Sequence, residues 1–364
     1  MKIFKENKGI IISTILLVLL SVGFTAVINF NHYYDGNTAE MTAYFIKTIV
    51  SLGICTGVFT LAYKYGRDFV LKYGWIFVPA GIILFSFVDA QGYIDIFGYS
   101  IEIVTLTSTL SFLGLANYFY RYCLKSVIHT IVFWIVSFVF LIVSERGYLT
   151  LVLFVMMGLM LIVAKKNKLI SKKSVWILNI VLYIMLMLRT LNIILMGIVW
   201  LKDVFYDNGA MPYITRGIIN KIKWFGAEAG LWLVGGDDEY YKLLCIFGLV
   251  GAVAGSAILA ALTVFVYFVS QKCFKSALTS TMPIACATVS TILVRFILSM
   301  LTNCGIVIYR LFAPIPILSD GLCGYIAIFI MLGLLLSKEP AKKYLSQNTQ
   351  SLMVVKHINR YLNH

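Results

Sequence analysis

The sequence predicts an all-α polytopic membrane bundle of about ten helices, with both termini cytoplasmic and one large extracytoplasmic loop between the seventh and eighth spans. Three observations predict it. Sixty per cent of the 364 residues are hydrophobic, 13 per cent are charged and the mean hydropathy is +0.91, whereas soluble domains are about 45 to 50 per cent apolar. Apolar windows of about 17 to 25 residues, enough to cross about 30 Å of hydrocarbon at about 1.5 Å per residue, recur along the chain. The charges collect between those windows.

The windows fall in order at 9 to 30, 44 to 63, 75 to 90, 101 to 120, 127 to 143, 149 to 164, 175 to 200, 243 to 269, 281 to 302 and 319 to 337. The first follows Lys2, Lys5 and Lys8 and has the look of a secretory leader. Because many spans follow, it reads as a retained signal anchor. Lys64, Arg67 and Lys72 separate the next two windows, Arg121 and Lys125 the fourth and fifth, and Lys165, Lys166, Lys168, Lys172 and Lys173 the sixth and seventh. Lys272 and Lys275 lie between the eighth and ninth, and Lys338, Lys342, Lys343, Lys356 and Arg360 follow the last. With the amino terminus inside, these clusters put twenty of the thirty basic residues on one face, the bias expected of cytoplasmic loops. Glu6, Asp68 and Glu339 join them; the other thirteen of sixteen acids fall in outer loops or near span ends. Residues 1 to 344 thus read as one bundle. Residues 345 to 364 read as a cytoplasmic tail with helical periodicity at Leu352, Val355, Ile358 and Leu362.

The formal charge of +14 does not indicate nucleic acid, because the bases sit in short clusters at span ends, where anionic lipid headgroups would meet them. The seven cysteines form no CxxC pair, and the four histidines form no HExxH set. Cys304 and Cys323 both fall near the outer face, but their spacing does not require a bond. Arg189 and Arg295 fall inside spans, where an unpaired charge costs about 3 kcal/mol or more, so each is expected to face a partner or polar cavity. Pro314 and Pro316 predict a re-entrant outer loop. Gly248, Gly251 and Gly255 predict close helix packing.

The connection from 201 to 242 is far longer than the others, and long ordered loops are usually functional. Within it, residues 217 to 223 predict a short interfacial helix whose lysines reach headgroups or phosphate. The acidic run Asp237-Asp238-Glu239 adjoins a hydrocarbon-length segment. Such a run is costly there unless it faces water or a cation, and a solvated loop end and an active site both satisfy that condition.

Several segments carry a resemblance. Trp224-Phe225-Gly226 and Gly230, followed by Gly248-Leu249-Val250-Gly251, resemble the outer-loop motifs of the SEDS family (shape, elongation, division and sporulation proteins, of the FtsW, RodA and SpoVE type). Counting back without gaps puts the family's loop aspartate on Asp237, and a one-residue gap puts it on Asp238. Asn303-Cys304-Gly305-Ile306-Val307 resembles the family's N-x-G-M-V, and Ala313 to Gly321 resembles I-P-L-P-F-I-S-Y-G. Ser144-Glu145-Arg146-Gly147-Tyr148 stands where the family has P-D-L-G-T. The chain departs at Cys245 and Ile246, where the family carries two glutamates, at Asp320, where it carries tyrosine, and at Leu322, where it carries the second glycine after the serine. An intramembrane Ser-Glu-x-x-Lys pattern is also missing; its ungapped match falls on Thr105 and Ser108.

The resemblance implies a peptidoglycan glycosyltransferase that polymerises lipid II at the outer face of the cytoplasmic membrane, serving cell shape, division or sporulation. It implies Asp237, or alternatively Asp238, as the catalytic carboxylate. Asp237, Asp238 and Glu239 would be ligands for magnesium or manganese. Lys221, Lys223, Lys242 and Arg310 are candidate contacts to pyrophosphate, and Trp224, Gly226, Glu145 and Ser319 complete the candidate substrate groove. Implied partners are lipid II, membrane lipids and a class B penicillin-binding protein transpeptidase. The alternatives are a catalytically inactive scaffold for such a transpeptidase and a transporter or flippase of a lipid-linked precursor.

Overall fold

The computed structural model describes residues 7–28, 38–87, 93–96, 99–144, 146–170, 172–206, 218–226, 241–277, 281–304, 306, 311, 313–318 and 322–337. In chain order these form α1 (Lys8–Ile28), α2 (Thr38–Leu61), α3 (Arg67–Tyr73), α4 (Phe77–Phe85), a hairpin of β1 (Tyr93–Ile96) and β2 (Tyr99–Glu102), then α5 (Val104–Tyr118), α6 (Val127–Ser144) and α7 (Gly147–Lys166). They continue as α8 (Lys173–Tyr206), α9 (Lys242–Leu249), α10 (Ala252–Ser276), α11 (Met282–Asn303) and α12 (Leu322–Leu336). Among the described residues, seven helical stretches are long and apolar enough to cross a membrane, with Leu322–Leu336 a shorter apolar helix. The chain is therefore a polytopic helical membrane protein. Its described strands are limited to the hairpin, antiparallel with Tyr93 opposite Glu102 and Ile96 opposite Tyr99.

α11 is the centre of the bundle. It packs against α5, α7, α10 and α12, and buries seventeen of its 22 residues, Thr288, Ser290, Thr291, Arg295, Ser299 and Thr302 among them. Hydrocarbon offers no partner for a hydroxyl, so these side chains turn back on their own helix. Thr288 donates to the Ile284 carbonyl at 2.7 Å, Ser290 to that of Cys286 at 2.6 Å, and Thr291 to that of Ala287 at 2.9 Å. Around this strut, α1 lies on α10, α4 on α5, α12 on α2, and α8 covers α6 and α7. Phe85, Phe112 and Phe140 meet edge to face, with centroids 5.4 and 5.7 Å apart, and lock α4, α5 and α6 together.

The windows at 44 to 63 and 75 to 90 emerge as one helical run, Met41–Phe85, of 45 residues. At about 1.5 Å per residue it measures about 67 Å, twice the hydrocarbon thickness, so it cannot be a single crossing. A π-turn at Ala62–Gly66 and a 3₁₀ turn at Gly74–Ile76 interrupt it on either side of α3, the segment with Arg67, Asp68 and Lys72. Irregular turns are where long helices bend. Asn117, 1 % exposed at the end of α5, fastens this joint by donating to the carbonyls of Val70 at 2.9 Å and Leu71 at 3.2 Å.

Other expectations shift at their edges. The seventh window extends as α8 through 34 residues to Tyr206, so the predicted loop starts later than residue 201. At about 51 Å, α8 is longer than the bilayer core. Arg189 is exposed on its flank with its guanidinium 5.9 Å from the Phe138 ring centre, not in a polar cavity. It stands sixteen residues past Lys173, about 24 Å up the helix, a height from which arginine reaches headgroups. Cys304 carries an exposed free thiol.

Candidate functional site

The predicted span at 243 to 269 is broken. α9 ends at Leu249 and α10 begins at Ala252. The N–H groups of Val250 and Gly251 both donate to the Ile246 carbonyl, at 2.9 and 3.0 Å, closing the last turn of α9. Gly251 then takes φ +117°, a region open to glycine and strained for other residues. A Cβ there would lie 2.7 Å from the Trp224 carbonyl oxygen and 2.9 Å from the Phe225 Cα.

That crowding exists because residues 223 to 226 lie across the break. The first N–H groups of a helix have no partner within it. At α10 they are met from the loop: Ala252 donates to the Lys223 carbonyl at 2.8 Å and Val253 to that of Trp224 at 3.3 Å, while the Gly226 N–H donates back to Val250 at 3.0 Å. The two sequence motifs, Trp-Phe-Gly and Gly-Leu-Val-Gly, are thus one backbone-bonded unit. Gly226 takes φ +72°. Because the docking uses main chain, the side chains of Trp224 and Phe225 stay 76 % and 77 % exposed. The predicted interfacial helix at 217 to 223 is reduced to a single turn at 218 to 221, closed by Lys221 N–H to Ile218 at 2.9 Å.

Lys221 and Lys223 are exposed on this segment, and Lys242 is half-buried as the first residue of α9. Gly255 serves packing, since a Cβ there would meet the Phe247 ring across the break. Cys245 and Ile246 are 4 % and 0 % exposed. The positions where the family resemblance expects glutamates are therefore apolar core here.

α11 reaches both sides of the site. At its outer end Asn303, 7 % exposed, accepts from the Leu244 N–H of α9 at 2.8 Å and donates to its own helix at the Ser299 carbonyl at 2.8 Å. Two turns below, Arg295 is 1 % exposed and its Nε donates to the Pro314 carbonyl at 3.2 Å. The loop around Pro314 and Pro316 is non-helical and packed inside the protein, with Ala313, Ile315, Ile317 and Leu318 between 0 and 3 % exposed. Its carbonyls find donors in Arg295 and, at Leu318, in Ser21 of α1 at 3.4 Å, as irregular backbone at membrane depth requires. Ile317 holds φ +67° in this loop, a strained value for a β-branched residue.

Thr105 and Ser108 lie buried on α5, which packs on α11, and Ser108 donates to the Thr105 carbonyl at 3.2 Å. Of the residues singled out in the sequence, the structure brings together Lys223, Trp224 and Gly226 with the α9–α10 break. Asp237, Asp238, Glu239, Glu145, Arg310 and Ser319 lie outside the described residues. Among the described residues no group of His, Cys, Asp or Glu is arranged to hold a metal ion. The role of Asn303 was not legible from sequence, because its partner is 59 residues away.

Comparison with known proteins adds a fold. No protein-family model matches the chain, and no curated protein does. A chain from a structural study of how a peptidoglycan synthase complex coordinates polymerization and crosslinking superposes with a TM-score of 0.62 at 13 % identity, covering 90 % of this chain and 96 % of that one. At that identity the likeness is one of fold.

Proposed function

We propose that this chain is a lipid II polymerase of the cytoplasmic membrane, a glycosyltransferase of the SEDS type. One observation carries the reading most: the segment with Trp224-Phe225-Gly226 is bonded main chain to main chain across the α9–α10 break at Gly248-Leu249-Val250-Gly251, the Lys223 and Trp224 carbonyls capping α10 and the Gly226 N–H donating to Val250. Two motifs that suggested one family on sequence grounds are parts of one structural unit, and the acidic run lies between them in sequence. The fold shared with a member of a peptidoglycan synthase complex supports it.

In this reading the 4-hydroxyl of one disaccharide attacks the anomeric carbon of a second, the bond to undecaprenyl pyrophosphate breaks, and a carboxylate receives the hydroxyl proton. Asp237 takes that role, with Asp238 as the alternative, since a hydroxyl nucleophile needs a positioned base. The leaving pyrophosphate needs cations. Lys221, Lys223 and Lys242 supply charge from the docked segment and the start of α9, and Arg310 adds a forked donor. Glu145 and Ser319 belong to the sugar groove on this account. Asp237, Asp238 and Glu239 offer the hard oxygen ligands that magnesium or manganese takes, and a bound cation would offset charge on the pyrophosphate. A class B penicillin-binding protein is the proposed partner.

A second reading is favoured by one observation. Cys245 and Ile246 are core residues where glutamates were expected, so a chain that has lost catalysis and holds a transpeptidase in the membrane explains the same fold. The two readings part in one assay. Purified protein is given labelled lipid II with magnesium or manganese, with and without the transpeptidase. Glycan strands establish the polymerase; stable complex formation without strands establishes the scaffold.

A further inference from the structure

The half-helix α9 begins within three residues of the acidic run in sequence, so whatever fixes its first turn fixes where the following chain takes over from that run. Its third N–H, that of Leu244, is held from another element: Asn303 Oδ1 accepts it at 2.8 Å. This is an N-cap supplied across the fold in place of the local serine, threonine or aspartate that usually does it. The residue before α9, Tyr241, makes no side-chain cap. Asn303 is itself aimed, because its Nδ2 donates to the Ser299 carbonyl one turn below at 2.8 Å, which assigns the amide oxygen to α9. Its helix is the bundle's most buried span, and the same helix grips the buried Pro314 loop through Arg295.

We infer that Asn303 is a positioning residue for the proposed polymerase: it caps α9 from the end of α11 and so ties the first turn of α9, which follows the acidic run in sequence, to the helix that grips the Pro314 loop. The inference rests on the polymerase reading for its catalytic consequence and on geometry alone for the cap. Asparagine fits both duties, since the amide has an acceptor for α9 and a donor for α11. Leucine has neither. Aspartate keeps the acceptor and loses the donor.

The test uses the full-length protein in nanodiscs with three forms: wild type, Asn303→Leu and Asn303→Asp. Hydrogen exchange across residues 241 to 249 reads the cap. Asn303→Leu should exchange there about fivefold to tenfold faster, the size of a lost N-cap, while Asn303→Asp stays near wild type. Lipid II polymerisation reads the positioning. Asn303→Leu should lose about tenfold or more in kcat with KM for lipid II held within about twofold, as misplacement of a catalytic group by about 1 Å does. Asn303→Asp, which keeps the acceptor for α9, should recover most of that rate. Wild-type exchange in Asn303→Leu overturns the cap. Faster exchange with an unchanged kcat, or an Asn303→Asp rate no better than that of Asn303→Leu, overturns the positioning role. Faster exchange in a protein whose wild type makes no glycan leaves the cap standing and overturns its catalytic consequence together with the polymerase reading.

Discussion

At the scale of single residues, two positions carry strain or charge that the fold has to answer. Gly251 combines φ +117° with a Cβ position 2.7 Å from the Trp224 carbonyl. Gly251→Ala should therefore undock the loop from α10, at a cost of about 1 to 3 kcal/mol. Thermal unfolding in detergent should fall and the Ala252 amide should exchange faster; an unchanged melting temperature would sink this account of the break. Arg295 is a buried guanidinium whose Nε serves the Pro314 carbonyl. Arg295→Met keeps the volume and removes the donor, leaving that carbonyl unmet at about 1 to 3 kcal/mol. Its sequence signal was good, because a charge inside a span demands a partner. Arg189 sent the same signal for a different reason: it lies exposed at a height where arginine reaches headgroups.

At the scale of elements, the sequence is most legible where one physical requirement dominates. Span length against bilayer thickness located α1, α6, α7 and α11 to within a few residues. It failed at α9 and α10, because Leu243 to Val269 stays apolar straight through the break. Hydropathy cannot see a helix that begins inside protein when its orphan N–H groups are met by a loop 29 residues earlier, Lys223 to Ala252 and Trp224 to Val253. The break of helix at Pro314 and Pro316 was legible, since proline removes backbone donors, and the described residues 313–318 are non-helical. The lysines of the docked segment give the element-scale prediction. Lys221 and Lys223 are exposed and outside the packing, so replacing both by alanine should leave the melting temperature unchanged and weaken lipid II use about tenfold in kcat/KM. A loss of stability instead would make them structural.

At the scale of the whole molecule, the charge bias assigns one face to the cytoplasm: it puts Lys166, the last residue of α7, inside and Cys304, which follows α11, outside. Cys304 is exposed. It should react in intact cells with a membrane-impermeant maleimide, whereas Lys166→Cys in a Cys304→Ser background should react after lysis alone; the reverse pattern would invert the topology. The fold agrees over 90 % of the chain with a component of a peptidoglycan synthase complex, while the departures at Cys245 and Ile246 leave the acidic run as the chemical core of the proposal. The most direct measurement is glycan formation from labelled lipid II, with magnesium or manganese and a transpeptidase partner, by wild type, Asp237→Ala and Asp238→Ala. The polymerase account predicts strands from the wild type and from one of the two variants, with Asp237→Ala the form that falls by about a hundredfold or more. Wild-type protein that binds its partner and makes no strands, or strands undiminished in both variants, would contradict it.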